Sequence, residues 1–352
     1  MTVERSSRTT APSCTLEEQV RAHPKRFRVL TGDRPTGPLH LGHYFGTLAN
    51  RVRLQRAGVE VFVVIADYQV VTDRDDVGDI AGAVRELVLD YLAAGIDPGQ
   101  ASVFTHSAVP ALNQLVVPFL SLVTVAELGR NPTVKAEADA THGRGMSGLL
   151  FTYPVHQAAD ILFCHGNLVP VGQDQLPHVE LTRLIARRFN DRYAAGATVF
   201  DEPDPLLSAA PVLLGTDGTK MSKSRGNAIH LRDDEDRTAA LLRKAKTDSL
   251  RLITYDPDHR PEVASLLLTA ALCIGRDPAD IADEIGDRGA AALKAFVTEA
   301  VNEHLRPLRQ RRRELAADPT IVRHVLSEGN ARANHIADRT LQRVREVMDM
   351  AY

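Results

Sequence analysis

Cysteine is scarce, and the three present, Cys14, Cys164 and Cys273, lie far apart with no C-x-x-C among them. That excludes a disulfide framework and a thiolate zinc site, and it suits a reducing, cytoplasmic setting. No apolar run approaches the roughly 18 residues of a membrane span, and the polar stretch Met1–Pro12 has no apolar h-region. An arginine- and serine-bearing start also suits a transit peptide, but Glu4, Glu17 and Glu18 oppose that reading. The strings H-E-x-x-H and G-x-x-x-x-G-K-S/T are both missing, so zinc-peptidase and P-loop chemistry lack their residues. Basic excess is missing too. A net charge of -3 excludes a protein that coats nucleic acid and leaves any RNA contact to a patterned face.

What is there is an ordinary globular composition, 44% hydrophobic and 25% charged over 352 residues, enough for one large domain and a smaller one. Thr15 followed by Glu18 is a capping-box pattern for a short helix ending before Pro24, inside an extension covering 1–26. From Phe27 a short β run, a turn over Thr31–Pro38 and a helix over Leu41–Arg56 follow one another. The β-branched run Val59–Ala66, a helix over Val77–Ala94 and a strand over Ala101–Thr105 continue the alternation, so the class expected is α/β with a doubly wound parallel (Rossmann) sheet. At least two helices between Ala111 and Cys164, a strand Leu168–Val171 and a helix Pro177–Asn190 come next. The β signal ends near residue 229. The expected division is therefore a sheet-bearing domain over 27–228 and an all-helical domain over 229–352, whose last helix has the option of packing back on the first.

Two strings could carry chemistry. His40-Leu41-Gly42-His43 puts two imidazoles three apart at the first turn of a helix, where backbone N–H groups favour an anion such as a polyphosphate. A surface H-x-x-H or a pair of zinc ligands would read the same. Gly215–Thr219 followed by Lys220-Met221-Ser222-Lys223-Ser224 is a glycine-bracketed loop with two ammonium groups, in a chain with seven lysines in all. It can close on a charged ligand, and a merely solvated loop explains the string poorly. Tyr153, Gln157 and Asp160 stand at i, i+4 and i+7, so one helix face would aim all three into one cavity. A capping or surface role for Asp160 and a core role for Tyr153 are the plainer readings. The strand ends Asp67–Gln69 and Gly172–Gln175 fall where such sheets bind ligands.

The two strings together resemble the signature sequences of class I aminoacyl-tRNA synthetases, the second at every position and the first with leucine where isoleucine is usual. Tyr153–Leu162 and Val169–Gln175 resemble the pocket segments of bacterial tryptophanyl-tRNA synthetases. The resemblance runs from about Val29 into the C-terminal helices. It implies ATP and Mg²⁺, the metal held mainly through phosphates, with L-tryptophan and tRNA(Trp) as partners and a homodimer as the assembly. It implies His40, His43, Lys220 and Lys223 as the catalytic phosphate-handling groups. Arg34, Thr36, Gly42, Met221, Ser222 and Ser224 would serve ATP, Asp174 its ribose, and Lys135 a further phosphate. Asp160 would accept the indole N–H, a donor phenylalanine lacks, and a site of this kind rejects the analogue by roughly 10⁴ to 10⁵. Tyr153 and Gln175 would lie near the ammonium, and Val169, Val171, Gln157 and Gln69 would complete the pocket. The helical part is then the tRNA and anticodon-binding domain.

Arg34, Gln69 and Gln157 depart from the common glutamine, histidine and methionine, and resemble the divergent auxiliary branch associated with indolmycin resistance. A tyrosyl enzyme shares fold and motifs, although Val169–Gly172 and Ala158–Asp160 speak against it. A synthetase-like protein that binds tryptophan for another purpose is a further alternative. Arg306, Arg309, Arg311, Arg312 and Arg313 read either as a basic strip for RNA phosphates or as a solvated helix face.

Overall fold

The computed structural model describes residues 15–72, 78–139, 145–207, 212–223 and 225–352, and the side chains of these except residues 137–139 and 174. Five strands, β1 (Arg28–Asp33), β2 (Glu60–Ile65), β3 (Ala101–Thr105), β4 (Leu168–Val171) and β5 (Asp204–Leu207), form one parallel sheet in the order β3-β2-β1-β4-β5. This is the doubly wound sheet that the alternation predicts. β2 is buried from Val61 to Ile65 because helices cover both faces, which is why it reads as a continuous apolar run. β5 was not legible. Its DPLL sequence is short, and Pro205 is tolerated because this strand sits at the edge.

Helices α1 (Leu16–Ala22), α2 (Leu41–His43), α3 (Ala49–Arg56), α4 (Ile80–Ala94), α5 (Pro110–Leu120), α6 (Val125–Arg130), α7 (Pro132–Asp139), α8 (Gly148–Leu162) and α9 (Leu176–Tyr193) flank the strands. The expected helix over 41–56 is continuous but contains a π turn, Tyr44–Leu48, between α2 and α3. The capping box at α1 forms, with Thr15 and Glu18 exchanging backbone N–H bonds at 2.7 and 3.3 Å. α4 starts at Ile80, where the Asp79 carboxylate accepts the Gly82 N–H at 2.8 Å. Its expected start, Val77, lies outside the described residues.

After residue 229 the chain forms α10 (Glu235–Arg243), α11 (Pro261–Ile274), α12 (Pro278–Ile285), α13 (Gly289–Ala316) and α14 (Ile321–Val347). The apolar core does not divide there: Leu293, Val297 and Val301 of α13 share one cluster with Val61, Val63 and Val88. On the other face Ala337 and Leu341 of α14 join Phe62, Phe104 and Val155. α14 lies along β3 and closes the open edge of the sheet. Asn330 Oδ1 accepts the Thr105 N–H at 3.1 Å, and Arg332 donates to the Pro98 and Ala101 carbonyls at 2.6 and 3.0 Å. A Cβ at Gly329 would overlap the Val103 carbonyl, so glycine alone allows this approach.

The arginines of α13 do not form the basic strip that their sequence suggests. Arg312 pairs with Asp90 at 2.7 Å and Glu86 at 2.6 Å, both on α4. Arg309 is buried and donates to Thr238 at 2.7 Å, Arg311 donates to the Ala93 carbonyl at 3.1 Å, and Arg306 pairs with Glu303 on its own helix. Three of the five thus hold α13 in place, Arg311 and Arg312 against α4 and Arg309 against α10, because a guanidinium with several donors can satisfy buried acceptors that would otherwise be stranded.

Candidate active site

β1 and β4 are neighbours in the sheet but run to opposite sides of the topology, so their carboxyl ends leave a crevice. A cavity of about 520 Å³ opens there, within the size range of small-ligand sites. Arg34 and His43 reach it from the loop after β1 and from α2, Gln69 from the segment after β2, and Val169, Val171 and Gln175 from β4 and its exit. α8 brings Tyr153, Gln157 and Asp160 to the same cavity, as a helix with residues at i, i+4 and i+7 must if its face is turned inward. Tyr153 Oη lies 3.1 Å from Nε2 of the fully buried His178.

The two strings meet beside this cavity. Leu41 N–H donates to the Ile229 carbonyl and Leu231 N–H to the Leu39 carbonyl, so the segment after the lysine loop is laced to the first helical turn. Buried Met221 reaches the open face of Gly42, where a Cβ would also stand 3.0 Å from the His40 ring. Lys223 Nζ donates to the carbonyl of Gly37 at 3.0 Å, next to Thr36 in the glycine turn, where Gly37 has φ of 133°. Asn227, 2% exposed and not singled out from sequence, ties the loop together: its side chain accepts from Ser222 N–H at 2.9 Å and donates to Asp217 at 2.9 Å and the Lys220 carbonyl at 3.2 Å. Lys220 itself is exposed.

His40 and His43 are held neutral. Their rings pack 3.7 Å apart, and the His40 N–H donates to His43 Nδ1 at 3.3 Å, which leaves the proton of a neutral His43 on Nε2. Burial, then the facing His43 and Lys223, push His40 down to about 3, and burial lowers His43 to about 4 against the pull of Asp33. They are therefore N–H donors rather than cations at neutral pH. A permanent charge in the wall, besides that of Arg34, is the fully buried Arg51, which donates to Asp33 at 2.5 Å and the Gly32 carbonyl at 3.2 Å. Burial disfavours the Asp33 carboxylate, but Arg51 and the Tyr91 hydroxyl at 2.6 Å outweigh it and hold the group well below the usual carboxylate range. Neither Asp33 nor Arg51 carries a motif, and their pairing across the β1 and α3 elements is invisible in sequence.

Behind Asp160 lies a polar layer that sequence also missed. Asp160 Oδ1 is 2.8 Å from Nε2 of His106, a fully buried ring stacked 4.4 Å from His156. Burial opposes a charge on His106, yet the facing Asp160 raises its pKa. His156 in turn lies 2.8 Å from Gln69 Nε2 through Nδ1 and 2.8 Å from Asn113 Oδ1 through Nε2. His106, His156 and Asp160 are the one group among the described residues with metal-ligand spacing. It is a poor metal site, because both nitrogens of His156 already serve protein partners.

Some expected residues stay away from the cavity. Lys135 is exposed on α7, and Thr36, Gly42, Met221 and Ser222 border the joint between the strings and do not line the cavity itself. His40, Lys220 and Lys223 do not line it either. Ser224 lies outside the described residues, as does the side chain of Asp174.

Residues 23–306 match the family model described as tRNA synthetases class I (W and Y). The chain is 43% identical to tryptophan–tRNA ligase of Treponema pallidum over 92% of its length and 97% of that protein. It is 40% identical to the Clostridium longisporum counterpart over 92% of this chain and 97% of that one. Its fold matches the Campylobacter jejuni tryptophanyl-tRNA synthetase crystallised with ADP and tryptophan, with a TM-score of 0.78, 31% identity and coverage of 91% of this chain and 99% of the other. With the paired strings at the switch point of a Rossmann sheet, these likenesses place the chain in the tRNA synthetases class I (W and Y) family.

Proposed function

We propose that this protein activates L-tryptophan with ATP to tryptophanyl-AMP and transfers the tryptophanyl group to tRNA(Trp). The observation that carries this reading is the cavity itself, where Asp160 stands as a buried acceptor on α8 beside the apolar Val169 and Val171, next to the joint between the two strings. The tryptophan carboxylate attacks the α-phosphorus of ATP, the bond to the bridging oxygen breaks, and pyrophosphate leaves with that electron pair. No protein nucleophile is needed. His43, as a neutral Nε2–H donor, and His40 behind it orient the phosphates, and Lys220 and Lys223 balance the charge that grows on the departing pyrophosphate. Arg34, Thr36, Gly42, Met221, Ser222 and Ser224 shape the nucleotide site, Asp174 serves the ribose, and Lys135 contacts a phosphate if α7 moves inward. Tyr153 and Gln175 face the ammonium, and Gln157 and Gln69 complete the pocket wall.

Magnesium fits as a passenger on the nucleotide phosphates, where it would offset their charge. Asp33, the carboxylate nearest the histidines, is occupied by Arg51 and Tyr91 and is no free metal ligand. Residues 27–228 form the catalytic part and 229–352 the tRNA-binding part, with 1–26 as an extension, in a cytoplasmic homodimer. Gln69 and Gln157 support membership of the indolmycin-resistant branch. Among the described residues no helix is long and apolar enough to cross a membrane. Aminoacylation of purified tRNA(Trp) and tRNA(Tyr) with each cognate amino acid tests the proposal: charging of tRNA(Trp) with tryptophan is expected, and charging with tyrosine alone contradicts it.

A further inference from the structure

The layer behind the cavity has a hydrogen-bond logic with one solution. Asn113 Nδ2 donates to two backbone carbonyls, those of His106 at 2.8 Å and Val109 at 3.0 Å. Those carbonyls can only accept, so the Asn113 amide cannot turn over without setting oxygen against oxygen. Its Oδ1 is therefore an acceptor, and His156 Nε2, 2.8 Å away, must carry a proton. Burial, the largest influence, keeps His156 neutral, so Nδ1 is bare and accepts. The Gln69 group 2.8 Å from Nδ1 must then be the Nε2 donor. Gln69 borders the cavity, its main-chain carbonyl accepts from Thr72 at 2.8 Å, and no described residue partners its Oε1.

We propose that Asn113 and His156 are positioning residues that fix the Gln69 amide with Oε1 toward the cavity, as an acceptor for the α-ammonium of bound tryptophan. This rests on the reading of the substrate given above. Tryptophan has two donor groups, the indole N–H and the ammonium; Asp160 takes the first, and Gln69, an acceptor held rigidly in the wall of the same cavity, is available to join Tyr153 and Gln175 at the second. A glutamine free to turn would offer its amide donors half the time and repel the ammonium. The relay removes that choice with three uncharged groups from α5, α8 and the segment after β2, and so adds no charge to the pocket.

The test measures dissociation constants of tryptophan, of tryptamine, which keeps the ammonium, and of indole-3-propionate, which lacks it, on wild type and His156→Leu. Loss of one hydrogen bond to a charged group is expected to weaken tryptophan and tryptamine roughly tenfold or more, with indole-3-propionate and the KM for ATP unchanged. Equal weakening of all three ligands, or unchanged tryptophan binding, overturns the relay. Because His156→Leu can disturb folding, the tautomer is also read in the wild type by ¹⁵N NMR. An Nε2–H imidazole across pH 6 to 8 is expected, and an Nδ1–H or doubly protonated ring overturns the argument. A wild type that binds no tryptophan overturns the substrate reading and the ammonium assignment with it, whereas a wild type that binds tryptophan with a normal His156→Leu variant overturns the relay alone.

Discussion

Single residues decide the chemistry, and their charge states are set by burial more than by identity. His40 and His43 resist protonation down to about 3 and 4, while the ordinary value is 6.5. In the unfolded chain they take up protons as pH falls through about 6.5, and in the folded chain they do not, so acidification favours unfolding across the window from 6.5 to about 4. Melting temperature should therefore fall between pH 7 and 5, and His40→Asn should flatten that slope; an unchanged slope contradicts the assignment. At Asp160 the expected effect of Asp160→Ala is a KM for tryptophan raised at least about tenfold with relaxed rejection of phenylalanine in steady-state exchange. Lys223→Ala should lower the adenylation rate about 10²-fold and leave tryptophan affinity intact, as measured by single-turnover kinetics. The residues with a fixed local spacing, such as His40 with His43 or Tyr153 with Asp160, were legible in the sequence. Asp33 with Arg51, and Asn113 with His156, were not, because each pair joins elements far apart in the chain and neither member sits in a string of its own.

Elements were legible where one physical signal dominates. β2 and β3 show as β-branched runs bounded by turns, and α1 through its capping box. β5 was hidden by Pro205, and the π turn at Tyr44–Leu48 by the fact that its sequence is that of any helix. Equally hidden was the way α14 replaces a missing neighbour strand of β3 with side-chain donors and acceptors. That contact rests on Gly329. Gly329→Val should lower stability by about 1–3 kcal/mol, the usual cost of overpacking, through separation of α14 from β3, readable as a lower denaturation midpoint and faster amide exchange at Thr105. Normal exchange at Thr105 in the variant would show that the helix does not guard the edge.

At the scale of the whole molecule, the helical part and the sheet share one core, and a charged thread runs from α13 to the first motif. Arg312 holds Asp90, whose other oxygen accepts the Leu39 N–H at 3.3 Å, one residue before His40. Asp90 is 1% exposed, so Arg312→Leu strands a buried carboxylate and should cost about 3 kcal/mol; it should also raise the KM for ATP while sparing that for tryptophan, since the thread ends at the nucleotide side. In the sequence the same arginine reads either as a phosphate contact or as part of a solvated face, because a helix surface and a helix interface look alike when only one partner is visible. The central claim, that this cavity activates tryptophan, is tested most directly by ATP–pyrophosphate exchange with tryptophan, tyrosine and phenylalanine offered separately. Exchange that depends on tryptophan and is weaker by orders of magnitude with the other two is the predicted result; exchange driven by tyrosine, or none with any of the three, contradicts it.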